Sequence, residues 1–448
     1  MAISRREVLK FVGITASTAT VFGCANKEVS LKKTTETNSN TKNLNSAQKN
    51  TKVVIVGGGW SGLSIAKNLK NFSPNTEVVM VEQNDKFVSC PMSNLWLVDR
   101  VSLEYLTHDY IQASRENNYI FFQAKATGMD KKNNILYTTK GDIKYDYIVF
   151  APGIDYDYSL LTQDKELELK LRQEYPAGYK SGKEHSVLKN KIQNFKKGNF
   201  VFTIPKGNYR CLPAPYERAC LVANYFKSKN LDAKVIVLDE NNDITIKEQG
   251  FHSAFDELYS DNLEYHPNSK IENIDLDEKY IETEFSEFEF DDASFYPHVR
   301  GAKILEKVGI AKDTVFNRME ANIDGITYQV IGEDNIFVSG DARPMGFSKS
   351  GNTSNTEGIY VAQLIANKIK GILNTPWQSP TTLCFSAVSI EPERAIFVNS
   401  QYAYNKKTKR FGFATPKTSE VWKGEEGLVN AKAQHDWADA MFRTMFEK

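Results

Sequence analysis

The apolar positions of this chain fall into short runs that alternate with helical stripes. Val53 to Val56 is a β-branched run that stops at glycines, and Leu63, Ala66 and Leu69 then recur at helical spacing. A strand therefore passes through a glycine loop into a helix. Val78 to Val81 reads as a further strand. Asn199 to Ile204 and Lys234 to Leu238 are strands separated by a helix from about Tyr216 to Lys229, which makes a second βαβ unit. A helix is expected from about Asn355, a strand at Ile396 to Asn399, and a last helix on which Trp437, Met441 and Met445 form one stripe. That stripe has two readings, core packing and an amphipathic contact with a membrane or partner, and packing is preferred. The pattern predicts an α/β chain with two Rossmann-like domains and a smaller α+β C-terminal domain.

The polar positions are less informative. The stretch from Leu160 to Asn194, rich in Lys and Glu, reads as a solvated helical excursion without a motif. Phe285 to Asp292 alternates apolar with charged residues, which fits a half-buried strand or hairpin, or a charged face for a basic partner; the strand is preferred. With 448 residues the chain exceeds what one core organises, and its formal net charge of zero, without a basic stripe, gives no support to nucleic-acid binding. Five cysteines include no Cys-x-x-Cys pair, no Cys/His cluster at ligand spacing and no Cys-x-x-Cys-His. No metal site is expected, and any c-type haem belongs to another chain. His185, His266 and His298 read as surface or core residues.

Chemistry enters with Gly57-Gly58-Gly59-Trp60-Ser61-Gly62. Gly57 permits the turn, Gly59 lets a diphosphate approach the backbone, Gly62 lets helix and strand pack closely, and the helix N-terminus at Trp60 and Ser61 favours the anion. Glu82 ends the next strand about twenty residues on, where a carboxylate can bond a ribose diol. The second βαβ unit has a different turn. Pro205 to Ala219 carries prolines and bulky residues where a diphosphate would need glycines, and it presents Cys211. A loop leading into a helix favours a low thiol pKa and an exposed sulfur, so Cys211 reads as reactive. Cys220, inside the helix, reads as a small buried hydrophobe, and Leu383-Cys384-Phe385 alone reads as a core strand.

Three segments resemble two-dinucleotide-binding-domain flavoproteins of the glutathione-reductase-like kind: the glycine loop, Tyr145 to Gly153, and Asn335 to Ala342. The resemblance narrows at Arg210-Cys211-Leu212-Pro213-Ala214-Pro215-Tyr216-Glu217-Arg218-Ala219, at Thr381 to Ser386 and at Ser89 to Asn94. There the chain is similar to the flavoprotein subunit of flavocytochrome c sulfide dehydrogenase, a relative of sulfide:quinone oxidoreductase, from about Thr51 to its end. The resemblance implies FAD held by Gly57, Gly59, Trp60, Ser61, Gly62, Glu82, Ala151, Gly153, Gly340 and Asp341, with Asp341 on the ribitol chain. It implies a thioether from Cys90 to the flavin and a redox disulfide between Cys211 and Cys384. Hydrosulfide would attack that disulfide, and electrons would pass through FAD to a c-type cytochrome, as a subunit or a soluble protein. Glu217 is a candidate acid or base, or equally a carboxylate facing the helix dipole. Lys349 is placed near the flavin pyrimidine edge, or is a surface charge.

The resemblance divides the chain into an FAD-binding part at 51–158 and 321–373, a second Rossmann-like domain at 159–320, and a C-terminal interface domain at 374–448. Residues 1–24 carry a twin-arginine pattern, Ser4-Arg5-Arg6, an apolar stretch too short to span a membrane, and Val21-Phe22-Gly23-Cys24, which resembles a lipobox. Export to the periplasm is expected, with Cys24 either acylated as a lipid anchor or removed by cleavage nearby. Residues 25–50 read as a disordered linker. Three other functions remain open: a sulfide:quinone oxidoreductase, an NAD(P)H-dependent polysulfide or disulfide reductase, and a flavin-bearing protein that delivers sulfur compounds without turnover.

Overall fold

The computed structural model describes residues 50–313, 319–408, 410–414 and 416–447. The twin-arginine pattern, Cys24 and nearly all of the expected linker lie outside them. β1 (Lys52–Val56) buries every residue but its first, as a parallel strand covered on both faces must. It runs through the glycine loop into α1 (Trp60–Phe72). β2 (Glu77–Glu82), β3 (Ile120–Gln123) and β4 (Tyr147–Phe150) extend the same parallel sheet.

The excursion after β4 corrects one expectation. Its first helix, Lys165–Glu174, is solvated and buries only Leu171. The helix that follows, α2 (Lys183–Asn194), buries His185, Leu188 and Ile192, and the link between them buries Tyr175, Ala177 and Tyr179. Its high Lys and Glu content conceals these inward positions.

The second sheet comprises β5 (Lys197–Ile204), β6 (Asp232–Asp239), β7 (Leu263–His266) and β8 (Asp292–Ser294), in the order β7-β6-β5-β8 and parallel throughout. α3 (Ala214–Ser228) joins β5 to β6, and α4 (Glu248–Leu258) joins β6 to β7. The chain order reverses at β5, so the loop leaving its C-terminal end lies where open α/β sheets form their crevices. That loop carries Cys211. The alternating run around Phe288 pairs Glu287–Glu289 with Tyr280–Thr283, with Phe288 half-buried, as the strand reading expects.

The chain then returns to the first sheet through β9 (Ile336–Val338), which pairs with β4 and completes the order β9-β4-β1-β2-β3. α5 (Gly351–Ile369) begins one turn earlier than expected because Ser350, not a residue near Asn355, caps it by accepting the Thr353 amide. It packs tightly on α1, and a Cβ at Gly358 would lie 2.7 Å from the Ser64 Cβ.

The C-terminal part is a hairpin of β10 (Thr381–Ile390) and β11 (Glu393–Asn405), widened by β12 (Arg410–Phe413) and β13 (Lys417–Ser419) and covered by α6 (Gly424–Phe446). Trp437, Met441 and Met445 are all buried, which agrees with core packing. On the same helix Phe446 stacks on His108 at 4.3 Å and Phe442 on Trp60 at 5.7 Å. Burial in this cluster pushes the His108 imidazole down to about 4. Among the described residues no helix is long and apolar enough to cross a membrane.

Candidate active site

The glycine loop is shaped by contacts that admit no side chain. Gly57 has φ +108°, and a Cβ there would lie 2.3 Å from the Ala151 carbonyl; one on Gly62 would lie 1.9 Å from the Gly57 carbonyl. At Gly59 a Cβ would meet nothing within 4 Å, so this position faces open space. Glu82 accepts the Gly58 amide at 2.8 Å. It borders a cleft of about 1030 Å³ lined also by Gly57, Pro152, Asp155, Lys180 and Lys303. Ala151 and Gly153 flank Pro152, and Gly153 turns the chain with φ +75°. Ser61 donates to Ser339 at 2.8 Å, which ties the start of α1 to the strand that delivers Gly340 and Asp341.

Asp341 accepts Ser354 Oγ at 3.0 Å and pairs with Arg210 Nε at 3.2 Å. Arg210 also donates to the Tyr179 carbonyl at 2.8 Å, which receives the Cys90 thiol at 3.3 Å. The glycine cleft and the cysteine loop are thereby connected through Asp341 and Arg210. Two buried nitrogens beside this path, Trp60 Nε1 and Asn355 Nδ2, have no hydrogen-bond partner. A glycine cradle, a terminal strand carboxylate and such orphaned donors fit an extended dinucleotide such as FAD, which the second cavity then receives at its reactive end.

That second cavity is lined by Cys90, Cys211, Cys384, Glu217, Tyr179 and Arg210, among others. Cys211 takes the left-handed conformation, φ +56°, and its amide donates to the Lys349 carbonyl at 2.7 Å. Cys384 sits on β10, whose Leu383 amide donates to Asn352 Oδ1 at 2.9 Å. The segment 349–352 thus holds both sulfurs in place. Cys211 and Cys384 line the same cavity, close enough for their thiols to interact.

The two thiols are coupled: their mutual interaction and burial raise Cys211, while the same interaction and the Lys247 charge lower Cys384 against the cost of its burial. Burial also raises Cys90, with Arg210 opposing, and leaves Cys220 a fully enclosed thiol in the core of α3.

Glu217 projects from the first turn of α3 into the same chamber. One oxygen accepts Asn94 Nδ2 at 2.8 Å and the other accepts the Ala387 amide at 2.9 Å. Burial lifts its carboxyl above the ordinary value despite these donors. Lys349, by contrast, is not a surface charge, the alternative reading of this residue. Its ammonium is sealed from solvent and donates to Glu320 at 2.5 Å, to the Asp341 carbonyl at 2.7 Å and to the Arg343 carbonyl at 3.3 Å.

Sequence reading missed Asn94, Tyr179, Lys247 and the role of Arg210. Asn94 stands four residues after Cys90 in a segment already singled out, so proximity was a usable signal. Tyr179 and Lys247 stand in stretches without a motif, and only the tertiary fold brings them to the cysteines. One exposed group, Asp243, Glu248 and His252, brings three possible metal-ligand atoms within 4.8 Å, but His252 already pairs with Asp243 at 2.7 Å, away from the chamber.

Residues 185–295 match the family model described as sulfide dehydrogenase [flavocytochrome c] flavoprotein chain, central, and residues 51–175 match that of pyridine nucleotide-disulphide oxidoreductase. A mitochondrial sulfide:quinone oxidoreductase of Dictyostelium discoideum is 26% identical over 357 residues, 74% of each chain. A sulfide dehydrogenase [flavocytochrome c] flavoprotein chain of Chlorobaculum thiosulfatiphilum is 49% identical over 43 residues, 10% of this chain and 90% of that sequence. The solved sulfide:quinone oxidoreductase of Aquifex aeolicus superposes with a TM-score of 0.66 at 17% identity, covering 87% of this chain and 92% of that one. Fold, glycine cleft and family matches agree, and the chain is a sulfide:quinone oxidoreductase-like flavoprotein.

Proposed function

We propose that this protein oxidises sulfide through a Cys211–Cys384 disulfide, with FAD held between the glycine cleft and the cysteine chamber and a c-type cytochrome as acceptor. The observation that carries it is the single cavity enclosing Cys90, Cys211 and Cys384 beside Glu217. In the first step hydrosulfide forms a bond to one sulfur of the disulfide, the S–S bond breaks, and its electron pair leaves on the other sulfur as thiolate. Glu217, buried and lifted above its ordinary value, can take the sulfhydryl proton. A second hydrosulfide can then remove the persulfide sulfur as polysulfide and restore the thiol. Arg210 and Tyr179 hold the Cys90 segment beside the pair. When bound, FAD supplies a two-electron acceptor that can be reoxidised one electron at a time.

The cytochrome reading is supported by α6, whose apolar face is buried against the first domain instead of being offered to a bilayer. Quinone is the second reading for the acceptor, because the longest matched relatives are named for it. We extend the proposal to a thioether from Cys90 to FAD, to the division of the chain at 51–158, 159–320, 321–373 and 374–448, and to periplasmic export with a lipid on Cys24. The direct test is anaerobic titration of purified protein with sulfide and, in parallel, NADH, following flavin absorbance. Bleaching by about two equivalents of sulfide, one to open the disulfide and one to release the persulfide sulfur, followed by recovery with cytochrome c but not with a soluble quinone, is the expected result. Bleaching by NADH alone would overturn it.

A further inference from the structure

Lys247 belongs to no motif, yet its side chain reaches the cysteine pair. It precedes α4 in the left-handed conformation, φ +56° and ψ 42°, and is only 3% exposed. A non-glycine residue in this region is strained and persists only where its surroundings over-determine it. Met92 and Cys211, both lining the chamber, are held in the same way. For Lys247 the surroundings are on β10. Its ammonium donates to Ser386 Oγ at 2.6 Å and to the Cys384 carbonyl at 3.4 Å.

Residues two apart on a strand share a face. An ammonium bonded to Ser386 Oγ therefore lies along the face that carries the Cys384 sulfur. Both of its acceptors are neutral, and no ion pair among the described residues engages it, so its charge is not cancelled by a contacting carboxylate. The other ionisable groups that face it are Cys211 and Glu217 on the α3 side and Glu420 beyond β13. Glu217 is occupied by Asn94 and the Ala387 amide, and Glu420 accepts the Gly250 amide at 3.0 Å.

We propose that Lys247 is a positioning residue for the cysteine pair: its ammonium makes Cys384 the sulfur that bears the negative charge when the pair is reduced, leaving Cys211 to hold the proton or the transferred sulfur. The inference rests on the proposed dithiol chemistry and assigns its direction. Hydrosulfide bonds to Cys211, the Cys211–Cys384 bond breaks, and its electron pair stays on Cys384 as a thiolate facing Lys247. The sulfur with the lower pKa is the faster leaving group.

The test uses reduced, flavin-loaded protein under anaerobic conditions. Iodoacetamide is applied across a pH series, and carbamidomethylation of the Cys211 and Cys384 peptides is counted by mass spectrometry. In the unchanged protein Cys384 should alkylate with the lower apparent pKa. Lys247→Met should slow Cys384 alkylation at neutral pH by about tenfold, the equivalent of one unit of thiol pKa, and Lys247→Arg should restore it. Because Lys247→Met removes a buried side chain, Ser386→Ala is the second variant; it loosens the ammonium without deleting it and should raise the Cys384 value by a smaller amount. A folded Lys247→Met protein with unchanged Cys384 titration, or a lower value at Cys211 than at Cys384, overturns the inference. Sulfide takes no part in this assay, so failure of sulfide turnover and failure of this ordering are separately visible.

Discussion

Asn94 ties Glu217 to Arg218: its Nδ2 donates to the Glu217 carboxylate at 2.8 Å while its Oδ1 accepts Arg218 Nε at 3.0 Å. A residue of the Cys90 segment therefore orients the carboxylate that faces the other two cysteines. Arg218 is itself buried, its other donors bound to the Ala177 and Gly178 carbonyls. The Cys90 segment, Glu217 and Arg218 form one hydrogen-bonded unit.

The first prediction concerns which cysteines react. Cys211→Ser and Cys384→Ser should each abolish reduction of the flavin by sulfide while leaving flavin content intact. Cys220→Ser should leave turnover within about twofold, because its thiol is enclosed in apolar core and makes no contact with the chamber. Stopped-flow absorbance with sulfide distinguishes the three. Persistence of rapid bleaching in Cys211→Ser would show that sulfide reduces the flavin without the disulfide.

Cys90 yields a second prediction that needs no turnover. Acid-precipitated protein should retain its yellow colour, and Cys90→Ala should release FAD into the supernatant while still folding around the glycine cleft. A colourless pellet from the unchanged protein would remove the thioether.

Lys349 is a stability residue in this structure, so its substitution should read out in unfolding. Lys349→Met removes the ammonium that the buried Glu320 carboxylate pairs with, and breaking one side of a buried pair costs about 3–5 kcal/mol. Denaturant unfolding should show that loss. Lys349→Met combined with Glu320→Leu should recover most of it, since replacing both members with apolar groups removes the uncompensated charge. A double variant no more stable than the single one would show that the ion pair is not the source.

The sequence made the glycine cleft legible because its requirements are local: a turn, a close approach and a strand-end carboxylate at fixed spacing. The same holds for the two βαβ units, whose strands differ from expectation by two residues at most. What it left hidden depends on distant segments meeting. Lys349 looks like a loop charge until Glu320 closes on it, and Lys247 looks like an ordinary lysine until the fold sets it against Ser386 on β10. Tyr179 was lost because the charged helices around it mask a buried link. The polarity of the cysteine pair is a tertiary property, set by groups contributed from α3, β10 and the turn before α4.

The glycines separate two effects that a fingerprint merges. Gly62→Ala must displace the Gly57 carbonyl from a Cβ that would stand 1.9 Å away, so it should destabilise the protein even without cofactor, by about 1–3 kcal/mol or more. At Gly59 a Cβ meets nothing within 4 Å. Gly59→Ala should leave the fold unchanged and weaken dinucleotide binding alone, by intruding on the space left for it. Thermal unfolding with and without added FAD checks both, and equal destabilisation of the two apoproteins would contradict the assignment.

The pH dependence of Glu217 follows from its burial. Its carboxyl is lifted above the ordinary 4.5, so between that value and the raised one the folded protein holds a proton that the unfolded chain releases. Stability should therefore fall as pH rises through the raised value, since the folded state binds more protons there. Activity should run the opposite way, because a base must be ionised to accept the sulfhydryl proton, and turnover should climb over the same window. Glu217→Gln keeps the shape, donates to neither role, and should flatten both slopes while lowering turnover by about 10²-fold. Paired measurements of unfolding free energy and of sulfide-dependent rate against pH distinguish this from a carboxylate that serves only the helix terminus, for which Glu217→Gln would alter the stability slope and leave the rate profile in place.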